Sequence, residues 1–183
     1  MGRYELDKRS SKFLVRAFAA GMLSKLGHNP TIAIRDFSGD VSFDPAAPER
    51  ASLSMEIRAD SLEVTDEISG KERKEMASLM NQKVLESSKF PVITFESTTA
   101  SAEQLAEGRY RVAMNGNLFL HGSTRTVPVT TQITILGDTL RASGEFSILQ
   151  SDYNIPLVSV AGGSLKLKDE LKFTFDIVAR KQE

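Results

Sequence analysis

Apolar residues recur at every second position through most of the chain from about residue 31 onward. Leu53, Met55, Ile57 and Ala59 alternate with Ser52, Ser54, Glu56 and Arg58. Val127, Val129, Ile133 and Ile135 share one parity, as do Leu140, Ala142, Phe146 and Ile148, and again Leu171, Phe173, Phe175 and Ile177. Period two places one set of side chains on one face of a strand. Strands of this kind build a wall with an apolar side and a wet side, which closes into a barrel or packs as a sandwich. The pattern predicts opening strands at 3–7 and 11–19, parted by the polar turn Lys8-Arg9-Ser10. Residues 20–30 predict a loop or one helical turn, broken by Gly27, Asn29 and Pro30. Residues 31–43 predict one long strand whose parity slips between Ile34 and Phe37, which a bulge near Asp36 would reconcile. Further strands are expected at 51–60, 91–99, 109–120, 123–136, 138–149 and 164–180. Asn115-Gly116 is a hairpin signal, but Met114, Leu118 and Leu120 keep one parity across it, which fits a bulged continuous strand equally well. His121-Gly122-Ser123-Thr124 is the better turn, and Gly162-Gly163 reads as another.

Residues 65–86 break the alternation. Ser69 and Glu72 have capping-box spacing, and Ile68, Met76, Leu79, Met80, Val84 and Leu85 follow at roughly helical spacing among charged residues. One amphipathic helix, or two short ones, is expected between strands here. Phe90-Pro91 marks the return to sheet.

The length of 183 residues and an apolar fraction of 40% fit a single domain with a sizeable core, spanning residues 1–183. With 23 basic and 24 acidic residues, the chain has no electrostatic reason to bind nucleic acid. It has no Cys and two His, which leaves neither a disulfide framework nor a recognisable metal spacing. No apolar run reaches the length of about 18 residues that a transmembrane helix needs. Phe13 to Gly21 imitates a signal-peptide core, but Arg16 interrupts it and Glu5 and Asp7 precede it. The expected compartment is therefore the cytoplasm, or the periplasm if a leader has been removed.

Five stretches resemble the YceI-like family of lipocalin-type polyisoprenoid-binding proteins. They are Tyr4-Glu5-Leu6-Asp7 with Ser11-Lys12-Phe13-Leu14-Val15, Ile34-Arg35-Asp36-Phe37-Ser38-Gly39 with Phe43-Asp44, and Lys89-Phe90-Pro91-Val92-Ile93-Thr94-Phe95-Glu96-Ser97. The fourth runs from Gly116 to Arg125, and the fifth from Phe146 to Tyr153, ahead of Lys168-Asp169-Glu170-Leu171. The resemblance implies an all-β, lipocalin-like antiparallel barrel of about eight strands with a short helical insertion. It also implies an elongated apolar lumen for a polyprenyl chain, such as a quinone tail or a polyprenyl diphosphate. The insertion departs from the family's pattern: a His-rich or Asp-His-Leu segment is frequent there, whereas this chain reads Lys74-Glu75-Met76-Ala77-Ser78-Leu79-Met80-Asn81.

A prenyl chain gains about 0.8 kcal/mol per buried CH₂ and needs few polar contacts. Strand parity nominates Ile34, Phe37, Met55, Ile57, Phe95, Leu118, Val129, Phe146, Phe173 and Phe175 as lumen residues. Met76, Leu79 and Met80 are candidates for covering the mouth, since unbranched Met adapts to irregular ligands. Equally, a small barrel can fill its interior with its own side chains. His28, in Leu26-Gly27-His28-Asn29-Pro30, is a candidate for a polar head group, and Arg35, Arg125 and Arg141 for a diphosphate at an opening. His121 reads as a structural or exposed turn residue, and Asp152 and Tyr153 as residues that close the barrel. With no G-x-S-x-G, H-E-x-x-H or phosphate loop, the leading expectation is a non-catalytic carrier or sequestering protein for an isoprenoid lipid. It needs no cofactor beyond the bound lipid. The rivals are a protein interaction module on the same barrel and a lipid-acting enzyme using His28. A homodimer through an exposed strand edge is compatible with the pattern.

Overall fold

The computed structural model describes residues 2–20, 29–160 and 165–183. The loop expected at 20–30, with His28, and the Gly162-Gly163 turn lie mostly or wholly outside the described residues. Twelve strands form one sheet: β1 (Gly2–Leu6), β2 (Lys12–Ala20), β3 (Thr31–Ile34), β4 (Phe37–Phe43), β5 (Ser52–Arg58) and β6 (Leu62–Val64), then β7 (Val92–Ala106), β8 (Arg109–Leu120), β9 (Ser123–Leu136), β10 (Thr139–Leu149), β11 (Ser159–Val160) and β12 (Leu165–Lys181). Every pairing is antiparallel, and β1 joins β12 to close the ring β1-β4-β5-β7-β8-β9-β10-β12. The result is the expected eight-stranded barrel. Three of its staves are interrupted: β1 runs on into β2, β4 continues from β3, and β5 runs on into β6, each second segment keeping to the neighbouring stave.

The interruption explains the parity slip at residues 31–43. It is a break into two strands, not a bulge near Asp36. At the corner the Arg35 N–H donates to the Ser61 carbonyl (3.3 Å), the Asp36 N–H to Ser61 Oγ (3.1 Å), and the Arg58 N–H to the Asp36 carbonyl (3.0 Å). The backbone groups freed by the break thus find partners on the next stave. Asn115-Gly116 forms no hairpin. The irregularity falls on the partner strand, between Ser97 and Thr99 of β7, while β8 runs straight through. Gly116 is tolerated there because the Phe95 ring lies across it: a Cβ at residue 116 would fall 2.2 Å from Phe95 Cζ. β7 also extends seven residues past the expected end, to Ala106. The turn at His121-Gly122 forms as expected, with φ of 50° and 75°.

Ser69 and Glu72 close their capping box and start α1 (Gly70–Leu79), which widens into a single π-type turn over Met80–Val84. α1 lies at one end of the barrel, where β6 has no neighbour in β7. There the Arg73 guanidinium donates to the carbonyls of Val64 and Asp66, so the helix covers the carbonyls that a further strand would have paired. The opposite end is shut by Tyr4, Phe43 and Tyr110. Phe43 is fully buried, its ring 4.9 Å from that of Tyr110 and inclined at 64°.

Candidate lipid-binding lumen

Inward parity of eight closed staves leaves more space than the side chains fill. A cavity of about 520 Å³ runs inside the barrel from the α1 end toward the aromatic floor. That is the size of a typical small-molecule pocket. Of the residues nominated by parity, Ile34, Met55, Ile57, Phe95, Leu118, Val129, Phe146, Phe173 and Phe175 line it, as do Met76, Leu79 and Met80 from the insertion. The two walls differ. Phe146 and Phe173 stack at 4.7 Å and 6°, with Phe13 and Phe175 beside them, while Met55, Met114, Ile57 and Leu118 face them from the β5–β8 side.

Phe37 is the exception. It does not line the cavity. It is buried behind Phe13, their rings edge to face at 6.1 Å and 87°, because it opens β4 at the sheet corner instead of lying mid-strand. The three arginines nominated for a diphosphate are likewise elsewhere. Arg35 pairs with Glu63 (2.9 Å) and Arg141 with Asp176 (2.7 Å), both on the outer surface. Arg141 draws the Asp176 carboxyl below the ordinary carboxylate range. Arg125 borders a separate outer depression of about 250 Å³ with Asp152 and Glu170. Strand alternation places Arg125 and Arg141 on the wet face, and the β3–β4 break turns Arg35 outward beside Glu63, all three away from the lumen.

The mouth carries its own charges. Asp66, Glu72, Glu75 and Lys166 line it among the described residues. Asp66 accepts from the Thr31 N–H (2.8 Å), and Glu72 is held by the capping box. Over the rest of this end, His121 serves as a clamp. Its Nε2 lies 2.8 Å from Glu86 Oε2, its Nδ1 3.1 Å from the Tyr153 carbonyl, and the Phe90 ring packs 4.7 Å away. The buried ring thereby joins the β8–β9 turn, the end of the insertion and the turn at Gln150–Tyr153. Ser151 fastens that last turn to β12 by donating its N–H (2.8 Å) and hydroxyl to Asp169, which holds this carboxyl low. Tyr153 is wholly buried, and that burial pushes its phenol up.

Parity also reaches residues that were not nominated. Phe13, Val15, Leu120 and Ile133 line the cavity, and so do two buried polar side chains, Thr131 and Gln150. Thr131 donates its hydroxyl to the Ser143 carbonyl (3.0 Å). Gln150 continues the inward parity of β10, a signal its polar character hid.

A closed eight-stranded barrel with a single capped helix and a deep apolar lumen is the architecture the resemblance implied. The model of the YceI-like domain matches residues 4–179. The chain belongs to the YceI-like family. Its curated relatives include a UPF0312 protein of Pseudomonas fluorescens, 29% identical over 74% of this chain and 63% of the relative. Another, from Shewanella baltica, is 30% identical over 58% of this chain. The matched region spans about half to two thirds of these relatives' length (51% and 63%). Among solved structures, Burkholderia cenocepacia BcnA superposes with a TM-score of 0.72 at 22% identity, covering 94% of this chain and 98% of that one. A polyisoprenoid binding domain from Saccharophagus degradans, implicated in plant cell wall breakdown, gives 0.70 at 14% identity over 98% of both chains. The Campylobacter jejuni YCEI protein gives 0.63 at 19%, covering 86% of this chain and 88% of that one. The YceI-like barrel described here shares their fold. No helix among the described residues is long and apolar enough to cross a membrane.

Proposed function

We propose that this YceI-like protein binds a long-chain isoprenoid lipid in its lumen and acts as a carrier or sequestering protein. One observation carries the reading: the cavity of about 520 Å³ is walled by apolar side chains, floored by aromatic rings and open toward α1. Such a shape rewards a long hydrocarbon, at about 0.8 kcal/mol per buried CH₂, and offers little to a polar substrate. The Saccharophagus degradans neighbour, described as a polyisoprenoid binding domain, supports the same ligand class. Candidate contacts are Met55, Phe95, Leu118, Phe146, Phe173 and Phe175 on the walls, with Met76 and Met80 at the mouth.

An uncharged head suits the mouth better than a diphosphate does. Three carboxylates, Asp66, Glu72 and Glu75, stand there against the single ammonium of Lys166 among the described residues. Like charge repels an anionic head. The reading also favours binding over catalysis, because among the described residues no acid, base and nucleophile converge inside the lumen. The test is titration of the delipidated protein with geranylgeraniol. Saturable binding of one molecule per chain supports the proposal, and no saturable uptake contradicts it.

A further inference from the structure

Among the described residues that line the lumen, Gln150 keeps an amide oxygen with no protein donor. It is 2% exposed and lines the cavity. Its Nε2 donates to the Lys168 carbonyl at 3.0 Å. A carbonyl oxygen accepts only, so this contact fixes which end of the amide is nitrogen and turns Oε1 the other way. No described residue donates to that Oε1; the Gln150 side chain's hydrogen bond is the one to Lys168. Thr131, the other buried polar residue of the lumen, has its hydroxyl proton committed to the Ser143 carbonyl. A carbonyl that faces an apolar chamber with no protein donor is left open to a donor from a guest. The site is therefore built to receive a hydrogen-bond donor from a guest.

We infer that Gln150 Oε1 is the head-group acceptor of the lumen and that the physiological lipid carries a hydroxyl donor. The class is a prenol, or a phenol or quinol bearing a prenyl tail, whose hydroxyl donates to Oε1 and can also accept the second Nε2 proton. The inference rests on the isoprenoid reading above and adds polarity and direction to it. Gln150 opens the turn that Ser151 fastens to Asp169 and that the Tyr153 carbonyl joins to His121. This anchors the acceptor near the α1 end, so the head sits under the mouth and the tail runs toward Phe43 and Tyr110.

The test compares geranylgeraniol with its methyl ether, which has the same tail and no donor, on the wild-type protein and on Gln150→Met. The expected result is a preference of about tenfold for the alcohol in the wild type, one net hydrogen bond's worth, and equal affinities in the variant. Equal affinities in the wild type would overturn the role of Gln150 while leaving the lipid-binding reading intact, and this arm needs no folded variant. A preference that survives in folded Gln150→Met would overturn it as well. If neither probe binds, the isoprenoid reading falls first and this inference with it.

Discussion

Phe146 and Phe173 face each other across β10 and β12 with ring centroids 4.7 Å apart and planes 6° from parallel. Both point inward, yet both are only partly buried, because the surface they show is turned to the lumen. A side chain in this position can change without collapsing the fold. Phe173→Asp is expected to leave a folded barrel and to weaken geranylgeraniol binding by more than about tenfold, since a carboxylate would meet the apolar tail. Phe37→Ala should do the reverse. It removes the edge-to-face contact with Phe13 and costs about 3–5 kcal/mol in urea unfolding, with no lumen surface lost. Wild-type affinity in a folded Phe173→Asp protein would displace the proposed site.

The floor sets a second expectation. Phe43 is fully buried against Tyr110 beneath the cavity. Phe43→Ala should lower unfolding stability by about 3–5 kcal/mol. A loss below about 1 kcal/mol would show that the end of the barrel is not held by this pair.

Gly116 offers a finer probe of the wall. Its inward position is covered by the Phe95 ring, and a Cβ would come within 2.2 Å of Phe95 Cζ. Gly116→Ala should therefore cost about 1–3 kcal/mol and drive the ring into the lumen, reducing lipid capacity. Unchanged stability and capacity would mean the ring moves aside freely.

His121 joins three segments through Glu86, Tyr153 and Phe90. Both ring nitrogens face oxygen atoms, so removing the ring frees both contacts at once. His121→Ala should cost about 1.5–3 kcal/mol and speed amide exchange in residues 80–90 and 150–154 before the rest of the barrel. Uniform exchange across the molecule would argue against a local clamp.

Acid should loosen the barrel as well. Asp169 is held low by Ser151, and Asp176 by Arg141, with Asp7 held low by Ser10 and Arg180. A carboxyl whose folded value lies below its unfolded one adds stability above the unfolded value and loses it as pH falls through the folded value. Stability should therefore be flat near neutrality and decline below about pH 4. Asp169→Asn should shrink that decline, while a variant with an unaltered acid limb would contradict the assignment.

Much of this was legible in the chain. Alternation at Leu53–Ala59, Val127–Ile135 and Leu171–Ile177 marked inward faces that the barrel keeps. The Ser69–Glu72 spacing marked the start of α1. What period two could not supply was the position of a corner. Phe37 has the right residue type and parity within its own strand, but the break at Arg35–Asp36 places it behind Phe13. Nor could alternation tell an opening from a wall, which is why Arg35 and Arg141 looked available and are paired on the outer surface. Gln150 sat on the inward parity of β10 throughout, but a polar residue is not counted in a hydrophobic pattern, and its role depends on the Lys168 carbonyl that folding brings to it.

Native mass spectrometry of the untagged protein as purified, followed by organic extraction of any bound species, tests the central claim most directly. The account predicts one lipid per chain, built of isoprene units, which is displaced by added geranylgeraniol. A protein that carries no isoprenoid and shows only its bare mass after incubation with geranylgeraniol would contradict it.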